Sequence, residues 1–429
     1  MKRLVPRRLF RIIEPIGHGI EATLISWRYG RPAGHMRVIA ITGTNGKTTT
    51  AYMIHRMLRE AGYDVALMTT VAYGVNDDIK PQIAHMTTVS APQLNKRLAE
   101  FRNAGATWLV LEVTSHALAQ HRINGVPIEV AVLTNITHEH LDYHGTFARY
   151  LAAKRRLFEL AARHPHGHGI INADDPNADA FVAAAPSHTS YGLEKGALRA
   201  YDIDAAADKS NYTARIGDET YHITCHIPGQ FNIANSLAAI AVGRHIGLSR
   251  TQIEQGIAAL DHVEGRMSTV DAGQAFAVVI DFAHTPDSFE RLLSDLRAST
   301  DGKLIALFGS AGRRDEAKRS AQGEIAGKYC DELVLTEEDD RDIDGQLILD
   351  QIASGAEQSG KLRDRDMFIV PDRTEAIRVA LSRASSPDDC VVLLGKGHEK
   401  TIERADGVYP WDEASEVRAA IKAQLARRT

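Results

Sequence analysis

The chain has 429 residues, 44% hydrophobic and 24% charged, with 50 Lys and Arg against 55 Asp and Glu. These proportions fit a globular protein of roughly two to four domains and exclude a disordered, fibrous or collagenous chain. The formal net charge of −5 leaves no basic excess for nucleic acid. Three widely separated cysteines offer neither a disulfide framework nor a CxxC zinc site, which suits a reducing cytoplasm.

The start of the chain is basic, with Lys2, Arg3, Arg7 and Arg8. A mixed apolar stretch follows from Leu9 to Trp27, interrupted by Arg11, Glu14, Pro15 and His18. It has neither the unbroken apolar core nor the cleavage site of a signal peptide. Such a segment either packs on its own protein or makes a weak contact, through residues 1–29, with an anionic membrane surface. Pro15 and Gly17 are expected to break a long interfacial helix.

Short apolar strands are predicted at Arg37–Ile41, Trp108–Val113 and Val130–Asn135. Later strands are predicted at Ala277–Asp281, Leu304–Phe308, Glu332–Thr336, Met367–Val370 and Cys390–Leu394. Stretches of helical length separate them, among them Thr48–Ala61, Ala91–Ala104 and Phe147–Ala162. Continuous apolar strands alternating with helices predict α/β architecture with parallel sheets buried on both faces. The more polar, alternating Ala200–Ile227 reads as an antiparallel annex. The expected organisation is an amphipathic extension over 1–36, a central P-loop-type domain with a mostly parallel sheet over 37–263, and a Rossmann-like α/β domain over 264–429.

Gly43-Thr44-Asn45-Gly46-Lys47-Thr48-Thr49 follows a strand and opens a helix. Glycines there let backbone N–H groups face an anion, Lys47 reaches the β- and γ-phosphates, and the Thr48 hydroxyl suits Mg²⁺. Glu112 ends the next strand and is either a Mg²⁺ ligand or an exposed strand-end carboxylate. Thr134–Gly145 packs three histidines and two carboxylates into seven residues, His138–His144, a pattern open to magnesium or zinc. The similar tract His164-Pro165-His166-Gly167-His168 lacks a strand-end setting and reads as a solvated loop.

The short loop resembles that of the Mur ligase superfamily, the ATP-dependent amide-forming ligases. EVTSHAL at 112–118, TNITHEHLDYHG at 134–145 and the spacing of Tyr150, Lys154, Leu157 and Phe158 resemble its MurE branch, which adds the third residue of the peptidoglycan stem peptide. The resemblance implies ATP and Mg²⁺ as cofactors and a CO₂-derived carbamate on Lys154. It makes Lys47, Glu112, His140 and Lys154 the catalytic set, with Thr48, Glu112, His140 and Lys154 as metal ligands. Gly43–Thr49, Asn232, Asn235, Arg266 and His284 fall at positions near ATP. Thr87, Thr88, Thr114, Gln120 and Arg122 match acceptor contacts.

The C-terminal motifs continue the likeness, with departures. Phe282 stands for tyrosine in DYAHTPDS, and Arg313 for the first aspartate of the GxGGDRD turn. The GKGHE turn places Gly395 and Glu399 at the incoming amino acid, with Arg314. The DNPR of diaminopimelate-adding members is replaced by Glu338-Asp339-Asp340-Arg341. Arg341 there would pair the amino acid's α-carboxylate, and its acidic neighbours a cationic side-chain end. Only 36 residues precede Arg37, too few for the family's UDP-gripping module.

The implied activity joins a free amino acid (diaminopimelate, lysine or similar) to a nucleotide- or lipid-linked muramyl dipeptide through an acyl phosphate. It would act in the cytoplasm, or peripherally at the inner face of the membrane. Three alternatives are another superfamily ligase of folylpolyglutamate or cyanophycin type, a non-catalytic ATP-binding subunit, and a zinc hydrolase using the histidine cluster.

Overall fold

The computed structural model describes residues 7–82, 87–137, 139–185, 187–206, 209–313 and 316–427. The chain folds as two compact units. One comprises Met1–His226 and Gln230–Asp261, the other Ile227–Gly229 and His262–Thr429.

The first unit is built on a sheet of eleven strands. At its centre Arg37–Thr42 pairs in parallel with Trp108–Glu112 on one side and Val130–Leu133 on the other. Val65–Met68 extends the parallel set one way, and His168–Asn172 and His188–Gly192 the other. These strands read as unbroken apolar runs because helices cover both faces. Leu109, Val110 and Leu111 are fully buried, each contributing about 1.5–3 kcal/mol relative to exposure. A parallel sheet puts all its carboxyl ends at one edge, so the loops after Thr42, Glu112 and Leu133 gather there.

The polar region near residue 200 is antiparallel, as its alternation predicts. Leu198–Ala205, Ser210–Ile216 and Glu219–Cys225 form successive hairpins. They are not a separate sheet, because Leu198–Ala205 also pairs in parallel with His188–Gly192.

Two expectations fail. Pro15 and Gly17 do not break the first helix, which runs unbroken from Arg7 to Arg28. Proline's fixed φ is itself helical, so mid-helix it removes one hydrogen bond without having to end the helix. The tract ending at His168 is not wholly a solvated loop. His168 opens a strand and is buried, its ring nitrogens bonded to Ser187 Oγ at 2.7 Å and Thr189 Oγ1 at 3.0 Å. It stacks on His245 at 3.9 Å between ring centroids. Burial lowers its pKa to about 4, so the ring is neutral and fits among hydroxyls.

The second unit carries a six-stranded sheet in the order Ser268–Thr269, Ala277–Asp281, Cys390–Leu394, Leu304–Phe308, Glu332–Leu335 and Met367–Ile369. All neighbours are parallel except the first pair. Beneath it Arg373 and Glu413, both fully buried, form an ion pair at 2.6 Å, and Trp411 Nε1 donates to the same carboxylate. Cys225 in the first unit and Cys330 and Cys390 in the second are buried thiols.

Candidate active site

The loop after Arg37–Thr42 is shaped by two glycines that admit no other residue. Gly43 (φ 152°) would place a Cβ 1.8 Å from Thr134 Oγ1, and Gly46 (φ 82°) one 2.3 Å from Asn235 Oδ1. The positive φ and the contacts both exclude L side chains. The loop is then pinned from the neighbouring strand's end. Asn45 N–H donates to Asn135 Oδ1 (2.9 Å), Asn135 Nδ2 to Asn45 O (3.0 Å), and Thr134 Oγ1 to Asn45 O (2.6 Å). Asn235 Nδ2 in turn donates to Asn232 Oδ1 at 3.0 Å, on the first turns of helix Gln230–His245. Lys47 begins its own helix and curls back, its Nζ donating to Thr44 O at 2.7 Å.

Glu112 is buried at the end of its strand, with hydroxyl and amide donors around its carboxylate. Oε2 accepts from Thr48 Oγ1 at 2.9 Å and from Thr70 N–H at 3.1 Å, and Oε1 from Thr70 Oγ1 at 3.0 Å. Thr70 Oγ1 also reaches Thr87 Oγ1 at 2.9 Å. Thr70 escaped the sequence reading. It follows Val65–Met68, a strand only the fold sets beside Trp108–Glu112.

Lys154 lies in the middle of helix Phe147–Ala161 yet is completely buried, donating to Gly43 O. Burial first, then the Lys47 charge, pushes its pKa well down, while Glu139 and Glu112 pull the other way. Burial in this field shifts the amine toward its neutral, nucleophilic form. Tyr150, one turn before it, shares a 2.8 Å hydrogen bond with Thr44 Oγ1, and burial raises its pKa.

His140 adopts φ 55°, with Nε2 3.5 Å from Glu139 Oε1. Its ring lies 4.6 Å from His116, which lies 4.3 Å from Tyr143. His138 falls outside the described residues. Among the described residues no three His, Cys, Asp or Glu side chains group as a metal site. Mg²⁺ asks little of the protein, namely one or two carboxylates beside phosphate and water oxygens. The buried Glu112 carboxylate, bonded to the Thr48 hydroxyl at the loop's edge, fits that demand.

The acceptor-matched positions form one connected network. Thr88 Oγ1 donates to Glu112 O (3.2 Å) and accepts from Thr114 N–H (3.1 Å). Arg122 reaches Thr88 O at 2.8 Å and Gln120 Oε1 at 2.7 Å, and Gln120 reaches Tyr143 at 3.0 Å.

In the second unit, the Arg266 guanidinium lies 5.0 Å over the Phe282 ring, and His284 Nδ1 bonds Phe282 O at 2.8 Å. His398 is buried 4.9 Å from the same ring, its pKa brought to about 3 by desolvation and then by Arg266.

The acidic turn stands beside the Gly395–Glu399 turn. Lys396, fully buried, bridges Asp339 Oδ1 at 2.8 Å and Glu399 Oε2 at 2.6 Å. Arg341 points to Glu403 (2.6 Å) and Gly312 O (2.8 Å). It is therefore engaged by its own protein where a substrate carboxylate was expected. Glu338 Oε2 is buried with no hydrogen-bond partner among the described residues, close enough to Gly395 that a Cβ there would lie 2.5 Å away. Burial raises Asp340 to about 6 and Glu399 to about 7. Arg314 lies outside the described residues.

Residues 41–243 match the Mur ligase middle domain, and residues 265–397 the Mur ligase glutamate ligase domain. A UDP-N-acetylmuramyl-tripeptide synthetase of Roseiflexus sp. (strain RS-1) is 39% identical over 417 residues, covering 93% of this chain and 81% of the relative. A UDP-N-acetylmuramoyl-L-alanyl-D-glutamate–2,6-diaminopimelate ligase of Syntrophomonas wolfei is 39% identical over 394 residues, covering 91% and 79%. A solved ligase of the latter name superposes with a TM-score of 0.63 at 31% identity, covering 91% of this chain and 79% of that one. Mycobacterium tuberculosis folylpolyglutamate synthase, solved with ADP and AMPPCP, shares the fold (TM-score 0.72) at 19% identity over 89% of this chain and 96% of that one.

Proposed function

The chain belongs to the Mur ligase family, whose members are ATP-dependent, ADP-forming ligases, and from that premise we propose that it adds an amino acid to a muramyl dipeptide in peptidoglycan precursor synthesis. The observation that carries this is the convergence of Glu112 and Lys154 on the Gly43–Thr48 loop.

The acceptor carboxylate attacks the γ-phosphorus of ATP, and ADP leaves. The amine of the incoming amino acid then attacks the acyl carbon, and phosphate leaves. The loop amides and Lys47 receive the charge that builds on the transferring phosphoryl group. For this, Lys47 exchanges its bond to Thr44 O for a phosphate oxygen. Magnesium supplies a Lewis acid for the phosphate oxygens, and Thr48, Glu112, His140 and carbamylated Lys154 are the residues that would hold it. The lowered pKa of Lys154 favours carbamylation, since only an unprotonated amine adds CO₂ and sheds a proton.

The acceptor is carried on a nucleotide or a lipid and meets Thr87, Thr88, Thr114, Gln120 and Arg122. Asn232, Asn235, Arg266 and His284 are the residues that we assign to ATP from their motif positions. The amino acid presents an ammonium group to the acidic turn. The Glu338 oxygen supports this, because it is buried without a donor among the described residues, at a free-energy cost that an incoming ammonium relieves. Diaminopimelate, lysine and ornithine all carry such a group. The reaction belongs in the cytoplasm.

Phosphate release from ATP tests this, using UDP-muramoyl-L-alanyl-D-glutamate and a panel of meso-diaminopimelate, L-lysine and L-ornithine. Release that needs both the acceptor and one amino acid is expected. Release without an acceptor, or none with any pair while ATP still binds, would overturn the assignment of this acceptor.

A further inference from the structure

The N-terminal helix is oriented the wrong way round for a helix that only packs on its own protein. Its inward face is made of small residues. Gly19, Ala22 and Ser26 are buried. At Gly19 a Cβ would lie 3.0 Å from Asn124 Nδ2, and a Cβ on Gly125 would meet Ser26 at 3.0 Å. The large apolar residues point outward. Ile20, Leu24 and Trp27 are 58%, 65% and 63% exposed. Their spacing of four and three residues puts them on one face. The sequence continues that spacing backwards through Ile16, Ile13 and Leu9. A docking helix buries such a stripe and exposes its small and polar residues; here the arrangement is reversed.

Charge singles out what covers the stripe. Residues 1–31 hold seven Lys and Arg against two Glu, a net of +5 on a chain whose total is −5. The remainder therefore carries −10. A positive amphipathic helix with outward Ile, Leu and Trp, borne on an acidic body, has the complement of an anionic lipid surface. The Arg31 guanidinium, 4.2 Å from the Trp27 ring, sets a cation beside the aromatic ring at the end of the stripe. Among the described residues no helix is long and apolar enough to cross a membrane.

We propose that the outward face formed by Ile20, Leu24 and Trp27 lies on an anionic membrane surface, with these three side chains inserted at the headgroup boundary. The inference is independent of the ligase chemistry.

The purified full chain, sedimented with phosphatidylglycerol-containing vesicles and with pure phosphatidylcholine vesicles, tests it. Trp108 and Trp411 are buried, so a blue shift of tryptophan emission reports Trp27. The expected result is co-sedimentation and a blue shift with the anionic vesicles only, both falling as salt rises. The doubly substituted Leu24→Glu, Trp27→Glu chain, altered at exposed positions, should keep its ATP-dependent activity and thermal transition and lose about tenfold or more in vesicle binding. Three results would each overturn the proposal. One is no binding to anionic vesicles. A second is binding unchanged by the double substitution. The third is a dimer in solution that the double substitution dissociates, without vesicle binding, which would give the face to a second copy of the chain.

Discussion

The two units prepare their binding surfaces from opposite materials. Around the phosphate loop the first unit uses neutral groups. Thr44, Thr48, Thr70, Thr134 and Asn135 hold backbone and one carboxylate in place by hydrogen bonds. The second unit uses charge. Lys396 is shared by Asp339 and Glu399, Arg341 is taken by Glu403, and Arg404 grips Glu337. Neutral hydrogen bonds fix backbone in place, whereas paired charges answer an incoming ion by exchanging partners. Under the proposed function, the first arrangement would serve the nucleotide and the second the amino acid.

That contrast can be broken at four points. The largest effect is expected at Lys154. Lys154→Ala should cut kcat about 10³-fold, with partial rescue by added formate or acetate; unchanged turnover would remove Lys154 from the mechanism. In the second unit the largest effect is on stability. Arg373→Ala leaves Glu413 buried without its cation, and should cost about 3–5 kcal/mol in urea unfolding followed through Trp411. Next comes Thr70→Val, which keeps the backbone donor to Glu112 and removes the hydroxyl. A lost bond to a charged group is worth about 1.5–3 kcal/mol, or roughly a tenfold to hundredfold loss of kcat. An equal loss in Thr70→Ser would show that the hydroxyl is not what matters.

The smallest effect is a pH dependence confined to the second unit. Glu399 at about 7 and Asp340 at about 6 are both raised chiefly by burial. Below these values they are protonated, and above them the pocket gains negative charge. Affinity for an amino acid with a cationic side-chain end should therefore rise several-fold from pH 5.5 to 8. Glu399→Gln should flatten the profile of KM and leave that of ATP binding as it was. The same shifts act on stability with the opposite sense. A carboxyl with a raised folded pKa stabilises the fold below its unfolded value and loses that contribution as pH rises through the folded one.

How much of this is legible before folding depends on how far a contact reaches along the chain. The fold class is written in the unbroken apolar strands 37–42, 108–112 and 130–133, because parallel strands buried on both faces leave no alternation to misread. The phosphate loop is equally plain, since a glycine pair, a lysine and threonines sit within seven residues. Thr70 is silent in sequence, because its role exists only where Val65–Met68 lies beside Trp108–Glu112. Glu338 is read correctly as acidic, but its close approach to Gly395, 57 positions away, and the lack of a donor to its buried oxygen among the described residues appear only in the fold. Pro15 misleads because one residue type serves both broken and continuous helices, and only the surrounding backbone separates them.

The burial of all three thiols has one last consequence. Cys225 lies in one unit, Cys330 and Cys390 in the other, and desolvation raises the thiol pKa of both Cys330 and Cys390, Cys390 to about 12. A folded chain should thus resist maleimides and disulfide reagents. Each thiol becomes a clock for its own unit, reacting only when that region opens. Labelling rates resolved by peptide mass would then read the opening free energies of the two units separately, from a single unmodified sequence.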